Sequence, residues 1–232
     1  MVRGPAAVLA ACGAALVYFE TASSLPSLGD VHATEIASGT AGMLALAICA
    51  LALLPARDEL PALALLALGS GLLAGALTAA HAGPGSNVLR VLFAAALGLV
   101  LARVFDAPAF VVAIPLFVSG IDIYSVVSGP SAVLIREQPH AVEYLTFQLP
   151  IWGGARAGQL GMSDMIFFSF YAGMAWLLGL RRAATAAGLV AALVGVVVAQ
   201  VLADTALPVL PALALGLLVP NVDRLWPMFA AA

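Results

Sequence analysis

Lysine is absent from this 232-residue chain, and charged residues of all kinds make up only 9% of it. The basic residues are all arginines, they are scattered between apolar runs, and the formal net charge is -3. Without a basic patch the chain lacks an electrostatic footprint for nucleic acid, so nucleic-acid binding is not expected. Only two cysteines occur, Cys12 and Cys49, and both fall inside apolar runs. This spacing offers neither a disulfide framework nor a zinc site.

Hydrophobic residues are what the chain has in abundance: they make up 63% of it and recur in runs of about 20 residues. The pattern predicts an all-α integral membrane protein, a polytopic bundle of about eight transmembrane helices. The predicted spans lie near residues 3–20, 35–54, 61–80, 88–105, 108–128, 160–180, 184–203 and 206–222.

The spans fall into two regions. Residues 1–107 hold about four N-terminal transmembrane helices, and residues 108–232 form a second membrane region. Short links such as "PARDELP" require neighbouring helices to be antiparallel. The connection at 129–159 is much longer, and its middle could form an interfacial strand or a short helix.

The arginines predict the orientation. An even number of spans places both termini on one side, together with Arg3, Arg57, Arg103, Arg181, Arg182 and Arg224. The opposite side receives Arg90, Arg136 and Arg156. The positive-inside rule then puts both termini in the cytoplasm and the 129–159 loop outside. Rich Ala, Gly, Leu and Arg content without Lys favours a prokaryotic plasma membrane.

Two acids differ from the others, most of which lie in links or at helix ends. Asp122 lies about six residues before one predicted span ends, and Asp164 about four residues after the next begins. At 1.5 Å per residue, both are roughly 6 to 9 Å from the same membrane face. A charge buried there is costly unless it is paired, protonated or hydrated. The matched depth therefore predicts that the two carboxyl groups meet inside the protein.

A close pair of carboxyl groups tends to share one proton near neutral pH, because two adjacent negative charges repel each other. An ionised Asp can then take a proton from water while its protonated partner donates one to a carbonyl oxygen, as in aspartic proteases. Matched depth is also compatible with a proton-coupled transporter, or with a structural hydrogen bond to Ser or Tyr.

Three motifs narrow these alternatives. Asp122 lies in "IDIYSVVSGP", Asp164 lies in "GMSDMIFFSF", and the last span contains Pro211, Ala212 and Leu213 in "LPALALGLLVP". In this order, one per span, the motifs resemble those of the presenilin and signal peptide peptidase family of intramembrane aspartyl proteases. The family has Tyr-Asp, then Gly-x-Gly-Asp, then Pro-Ala-Leu. The resemblance covers about residues 108–222, and four spans precede it where the family generally has five.

The resemblance implies a hydrolase that cuts single-span transmembrane proteins or signal-peptide-like substrates within membrane lipid, without a metal or organic cofactor. Asp122 and Asp164 would be catalytic. Gly161, Ser163 and the Pro211, Ala212 and Leu213 segment would shape the site and contact substrate. The predicted orientation is similar to that of signal peptide peptidase. A transporter using the same acids, or a proteolytically silent homologue that binds membrane helices, remains the alternative.

The chain departs from the family pattern at two positions. Ser163 stands where the second Gly belongs, and its hydroxyl could bond back to the helix backbone. Ile121 stands where the family has Tyr, and Tyr124, one turn on, could supply a phenol instead.

Prolines predict how a substrate would be held. A substrate helix must unwind before water can attack, so the enzyme has to offer new partners to its backbone. Pro208 and Pro211 interrupt the start of the last span and create an irregular edge, and the 129–159 loop could supply another edge for strand addition.

Overall fold

The computed structural model describes residues 4–80, 83–129, 139–154 and 157–230, which form an α-helical bundle with one small β-hairpin. In chain order the elements are α1 (Gly4–Thr21), α2 (Val31–Ala52), α3 (Leu60–Ala79), α4 (Asn87–Val104), α5 (Phe110–Ser128), α6 (Pro139–Leu145), β1 (Thr146–Pro150), β2 (Ala157–Gly161), α7 (Met162–Leu177), α8 (Arg182–Ala203), α9 (Leu210–Leu218) and α10 (Val222–Ala230). Over these residues, six helices, α1 to α5 and α8, are long and apolar enough to cross a membrane. The predicted all-α membrane bundle is confirmed to this extent.

The other two predicted spans, at 160–180 and 206–222, contain shorter helices of 16 and nine residues. The first, α7, begins late because β2 occupies the preceding residues, and a turn follows in which Gly179 has a left-handed φ of 64°. The second, α9, begins only after Pro208, which disfavours a helical conformation in the residue before it.

The centre of the bundle is the contact between α4 and α7, and glycine makes it possible. A side chain at Gly98 of α4 would collide with the carbonyl oxygen of Ile166 and would lie 2.9 Å from the backbone nitrogen of Phe170. On α7, a Cβ at Gly173 would lie 2.9 Å from the Cβ of Ala102. Small residues let membrane helices approach closely, where dispersion contacts accumulate. Asp164 is therefore carried by a helix packed into the core.

The outer helices pack around this centre. Gly188 of α8 and Gly216 of α9 face each other, and a Cβ on either would lie 2.5 to 2.7 Å from the carbonyl oxygen of the other. By contrast, only 11% of the α5 span is buried, and this helix packs chiefly against α9. Asp122 is therefore carried by an outer helix.

The long connection at 129–159 contains both of the elements expected as alternatives: the short helix α6 is followed directly by strand β1. Residues 130–138 and 155–156 of this connection lie outside the described residues, as does Arg3. Arg136 and Arg156, expected on the outer side, are among those residues.

Arginines expected on one side of the membrane lie together at one end of the bundle. Arg57 of the α2–α3 link and Arg182, the first residue of α8, both lie over the ring of Trp176, at 4.5 and 4.1 Å from its centre. Arg57 and Arg103 both approach Asp58, at 3.3 and 3.8 Å. Three of the six arginines expected on that side are thus close to one another, and the side of the membrane on which they lie stays a prediction.

Candidate active site

Asp164 lies in the first turn of α7, immediately after β2, and only 7% of its surface is exposed. The strand leads straight into the helix, which places this turn inside the protein. Gly161 lies close beneath it, because a Cβ there would be 3.0 Å from Oδ2 of Asp164. A larger residue at position 161 would push the acid from its place.

Asp122 lies on α5 and is half-buried. Its Oδ2 accepts a hydrogen bond from the backbone N–H of Leu210, at 2.9 Å. Leu210 is the first residue of α9, and N–H groups in the first turn of a helix have no partner within the helix. Asp122 thus provides a hydrogen-bond acceptor for a free N–H at the start of α9, the helix that carries Pro211. The same bond holds the Asp122 side chain in position.

The two acids line one cavity of about 570 Å³. Their charges are close enough to interact. The walls come from α5, from the β2–α7 junction and from the link between α8 and α9, and are mainly apolar. This volume falls in the range of small-molecule and peptide-side-chain pockets. Both acids therefore line one cavity between their helices, while direct contact between the two carboxyl groups stays a prediction.

The other expected site residues divide into two groups. Gly161 and Ser163 line the cavity beside the acids, and the side chain of Ser163 is exposed there. Pro211, Ala212 and Leu213 are not among the lining residues, and Leu213 is fully buried. Within the described residues, the Pro-Ala-Leu segment reaches the site through the backbone of its preceding residue, Leu210.

One edge of the hairpin is already occupied. β1 and β2 pair antiparallel, with Gln148 opposite Gln159. The side chain of Asn87 forms hydrogen bonds with both backbone groups of Gln148. Its amide N–H donates to the carbonyl oxygen, and its Oδ1 accepts a bond from the N–H at 3.0 Å. The Arg90 guanidinium donates to the carbonyl of Thr146 on the same edge. The outer edge of β1 is therefore capped by side chains of α4.

The opposite edge, on β2, faces the cavity. In an antiparallel pair, the N–H and C=O of one residue point the same way, and successive residues alternate. The backbone N–H and C=O of Gln148 bond to Asn87 and therefore point away from β2. The backbone N–H and C=O of Gln159, which is paired with Gln148, correspondingly point away from β1. Gln159 lines the cavity, and its backbone groups have no partner among the residues that the structure describes. This leaves an open strand edge beside the two acids.

Two polar residues at the site were missed by sequence reasoning. Gln200 of α8 lines the cavity and donates to the carbonyl of Leu207 at 3.1 Å, which holds the link before α9. An amide within an apolar run was the available signal. Tyr171 is fully buried on α7, near enough to Asp122 for their charges to interact. The side chain of Tyr124 is 64% exposed, and among the described residues no hydrogen bond joins its phenol to Asp122.

Among the described residues, no group of three or more His, Cys, Asp or Glu could hold a metal ion. The chain matches no protein-family model, no curated protein and no solved structure. Functional assignment therefore depends on the site itself.

Proposed function

We propose that this protein is an intramembrane aspartyl protease that hydrolyses peptide bonds of single-span membrane proteins, with Asp122 and Asp164 as its dyad. The observation that carries the proposal is the shared cavity: two acids from separate helices line one mainly apolar chamber, which Gln159 of the open β2 edge also lines. Two carboxyl groups with one proton can both activate water and protonate a carbonyl.

The contacts of the two acids suggest their roles. The hydrogen bond from the Leu210 N–H favours the carboxylate form of Asp122, which would take a proton from the attacking water. The buried Asp164 would donate its proton to the carbonyl oxygen as the tetrahedral intermediate forms. Asp122 would then return its proton to the leaving nitrogen while Asp164 regains one from the intermediate. The reaction needs only water and the two carboxyl groups.

The open edge of β2 supports a peptide substrate. A helix that unwinds in the membrane exposes backbone groups that lipid cannot satisfy, and strand addition at Gln159 would satisfy them next to the dyad. The capped edge of β1 would direct the substrate strand to the cavity side. A small solute would not need such an edge, which favours the protease over a transporter.

The three motifs and their order support membership of the presenilin and signal peptide peptidase type, with α7 and α9 as two further membrane elements, the sixth and eighth in chain order. The cluster around Trp176 supports an orientation in which this basic end, and both termini, face the cytoplasm. The dyad would then lie toward the outer face, in a prokaryotic plasma membrane.

A cleavage assay tests the proposal. Purified protein in liposomes is given a tagged single-span helix, and wild type is compared with Asp122→Asn and Asp164→Asn. Each variant should lose cleavage by roughly 10⁴-fold or more, because residues of a catalytic unit fail together. The matched control is Asp106→Asn, which removes an exposed carboxylate from the α4–α5 link and should leave cleavage unchanged.

Folding of each variant is checked by circular dichroism. Cleavage that persists in both Asn variants would contradict the dyad. If folded wild type cuts none of several substrates, but moves protons in a way that depends on the same two acids, the transporter becomes the better account.

A further inference from the structure

A second polar centre lies outside the dyad, at Arg90. This residue is the fourth of α4 and only 3% exposed. Its guanidinium donates to the carbonyl of Thr146 and, at 2.8 Å, to the hydroxyl of Thr78. Both acceptors are neutral. Burying a cation without a counter-charge costs free energy, so an anion is expected next to Arg90.

The described part of the chain supplies no close counter-ion. The ion pairs within 4.0 Å involve Arg57, Arg103 and Arg181 but not Arg90. Glu143 of α6 is near enough for its charge to act on Arg90, but the two side chains form no ion pair within 4.0 Å, and Glu143 is exposed. Arginine has five N–H donors, and two hydrogen bonds leave several for a further acceptor.

Arg90 lines a cavity of about 400 Å³ between α3, α4 and α6. Thr78 and Tyr144 share its polar end, and the rest is apolar. The cavity continues along α3 past Gly75 to Leu72, whose side chain is 77% exposed on the outside of the bundle. It thus combines a buried cation at one end with an apolar groove that opens where lipid chains would lie.

We propose that this cavity binds an anionic phospholipid, with the phosphate at Arg90 and an acyl chain along the Gly75 face of α3. A guanidinium matches phosphate oxygens in geometry and charge. The groove matches a hydrocarbon chain, and a lipid with net negative charge compensates the cation. Phe93, Leu145 and Met162 line both this cavity and that of the dyad, so the lipid lies next to the catalytic chamber. The inference does not rest on the proposed proteolysis.

Thermal unfolding of the full chain in neutral detergent tests the site. Phosphatidylglycerol should raise the unfolding midpoint of wild type in a concentration-dependent way, because a ligand that binds only the folded state stabilises it. Phosphatidylcholine and inorganic phosphate should raise it much less. Arg90→Gln should weaken the apparent affinity for phosphatidylglycerol by about tenfold or more, the expected loss for a charge-assisted hydrogen bond.

A second variant keeps the test decisive if Arg90→Gln fails to fold, since Arg90 also holds β1. A Cβ added at Gly75 meets no atom within 4 Å, so Gly75→Leu should fold, place its side chain in the groove and lose the phosphatidylglycerol shift. Gly69→Leu is the matched control on the same helix: a Cβ added there also meets no atom within 4 Å, the position lies outside the cavity, and the variant should keep the shift.

Three results would overturn the proposal. The first is an equal shift with phosphatidylcholine, which would remove the role of net charge. The second is an equal shift with inorganic phosphate, which would leave an ion site without a lipid. The third is a Gly75→Leu variant that responds to phosphatidylglycerol like wild type.

Discussion

The two aspartates are carried by helices that are supported in opposite ways. α7, which carries Asp164, has ten of its 16 residues buried and approaches the α4 backbone closely. α5, which carries Asp122, has 11% of its span buried, against 50% for α4. One half of the dyad is fixed in the core, and the other half is on an outer helix whose place depends on α9.

This difference fits the proposed task. A transmembrane substrate arrives from the lipid, and the side of the cavity with few buried contacts is the side that opens at the lowest free-energy cost. The well-packed side keeps Asp164 and the β2 edge in fixed relation, because β2 runs directly into α7. The hydrogen bond from the Leu210 N–H then holds Asp122, the acid on the outer helix, in the cavity that Asp164 also lines.

The largest effect is expected from disrupting the close contact between α4 and α7. Gly98→Leu places a side chain against the backbone of Ile166 and Phe170, which cannot move without shifting α7. We expect a loss of about 3 kcal/mol in unfolding free energy, the upper range for overpacking, together with a loss of cleavage. Gly120→Leu on α5 is the control, because a Cβ added at Gly120 meets no atom within 4 Å. Equal destabilisation by the two variants would contradict the contrast between the helices.

The next test concerns the outer acid. Asp122→Ala removes the acceptor of the Leu210 N–H, and we expect the Leu210 amide to exchange hydrogen about tenfold faster, since a bond to a charged group contributes about 1.5 kcal/mol or more. Asp122→Asn keeps an acceptor oxygen and should retain most of this protection while abolishing cleavage. Asp164→Ala should leave the Leu210 amide protected. Mass spectrometry of exchanged peptides from the 205–218 segment provides the measurement.

Much of this arrangement could be inferred from the sequence, because it depends on local patterns. Apolar runs predicted membrane helices, and distance from a helix end predicted that Asp122 and Asp164 share a depth. The motif around Asp164 predicted that Gly161 shapes the site, and Gly161 lies close to the Asp164 carboxyl group. The expected contribution of Pro211 to substrate contact stays a prediction.

The remaining features depend on contacts between residues distant in the chain. The capping of β1 by Asn87, 61 positions away from Gln148, has no local signature. Hydropathy does not indicate which of two phenols, Tyr124 or Tyr171, faces the core, because both lie in apolar runs. The Leu210 N–H is a backbone group, and the type of its side chain carries no information about its partner.

A smaller effect is expected at Gln159, where a substitution tests whether the edge of β2 binds substrate. Gln159→Pro removes an N–H that points away from β1, and proline is tolerated at a strand edge of this kind. The hairpin should therefore persist, with an unchanged unfolding midpoint. Cleavage should fall about tenfold through loss of one backbone hydrogen bond to substrate. Gln159→Ala keeps the N–H and should cleave like wild type; equal activity of the two variants would remove strand addition at β2.

The smallest effect is expected at Tyr171, on the core side of the dyad. Its hydroxyl is buried and has no hydrogen-bond partner among the described residues, and such a group costs about 1 kcal/mol or more. Tyr171→Phe should therefore raise the unfolding free energy by about 1 kcal/mol and keep cleavage within about twofold of wild type. Both are measured on the same preparation, with Tyr124→Phe on the exposed face of α5 as the control. A large loss of cleavage in Tyr171→Phe alone would mean that the phenol bonds to Asp122 or to the attacking water during the reaction, so that α7 supplies a second reacting group besides Asp164.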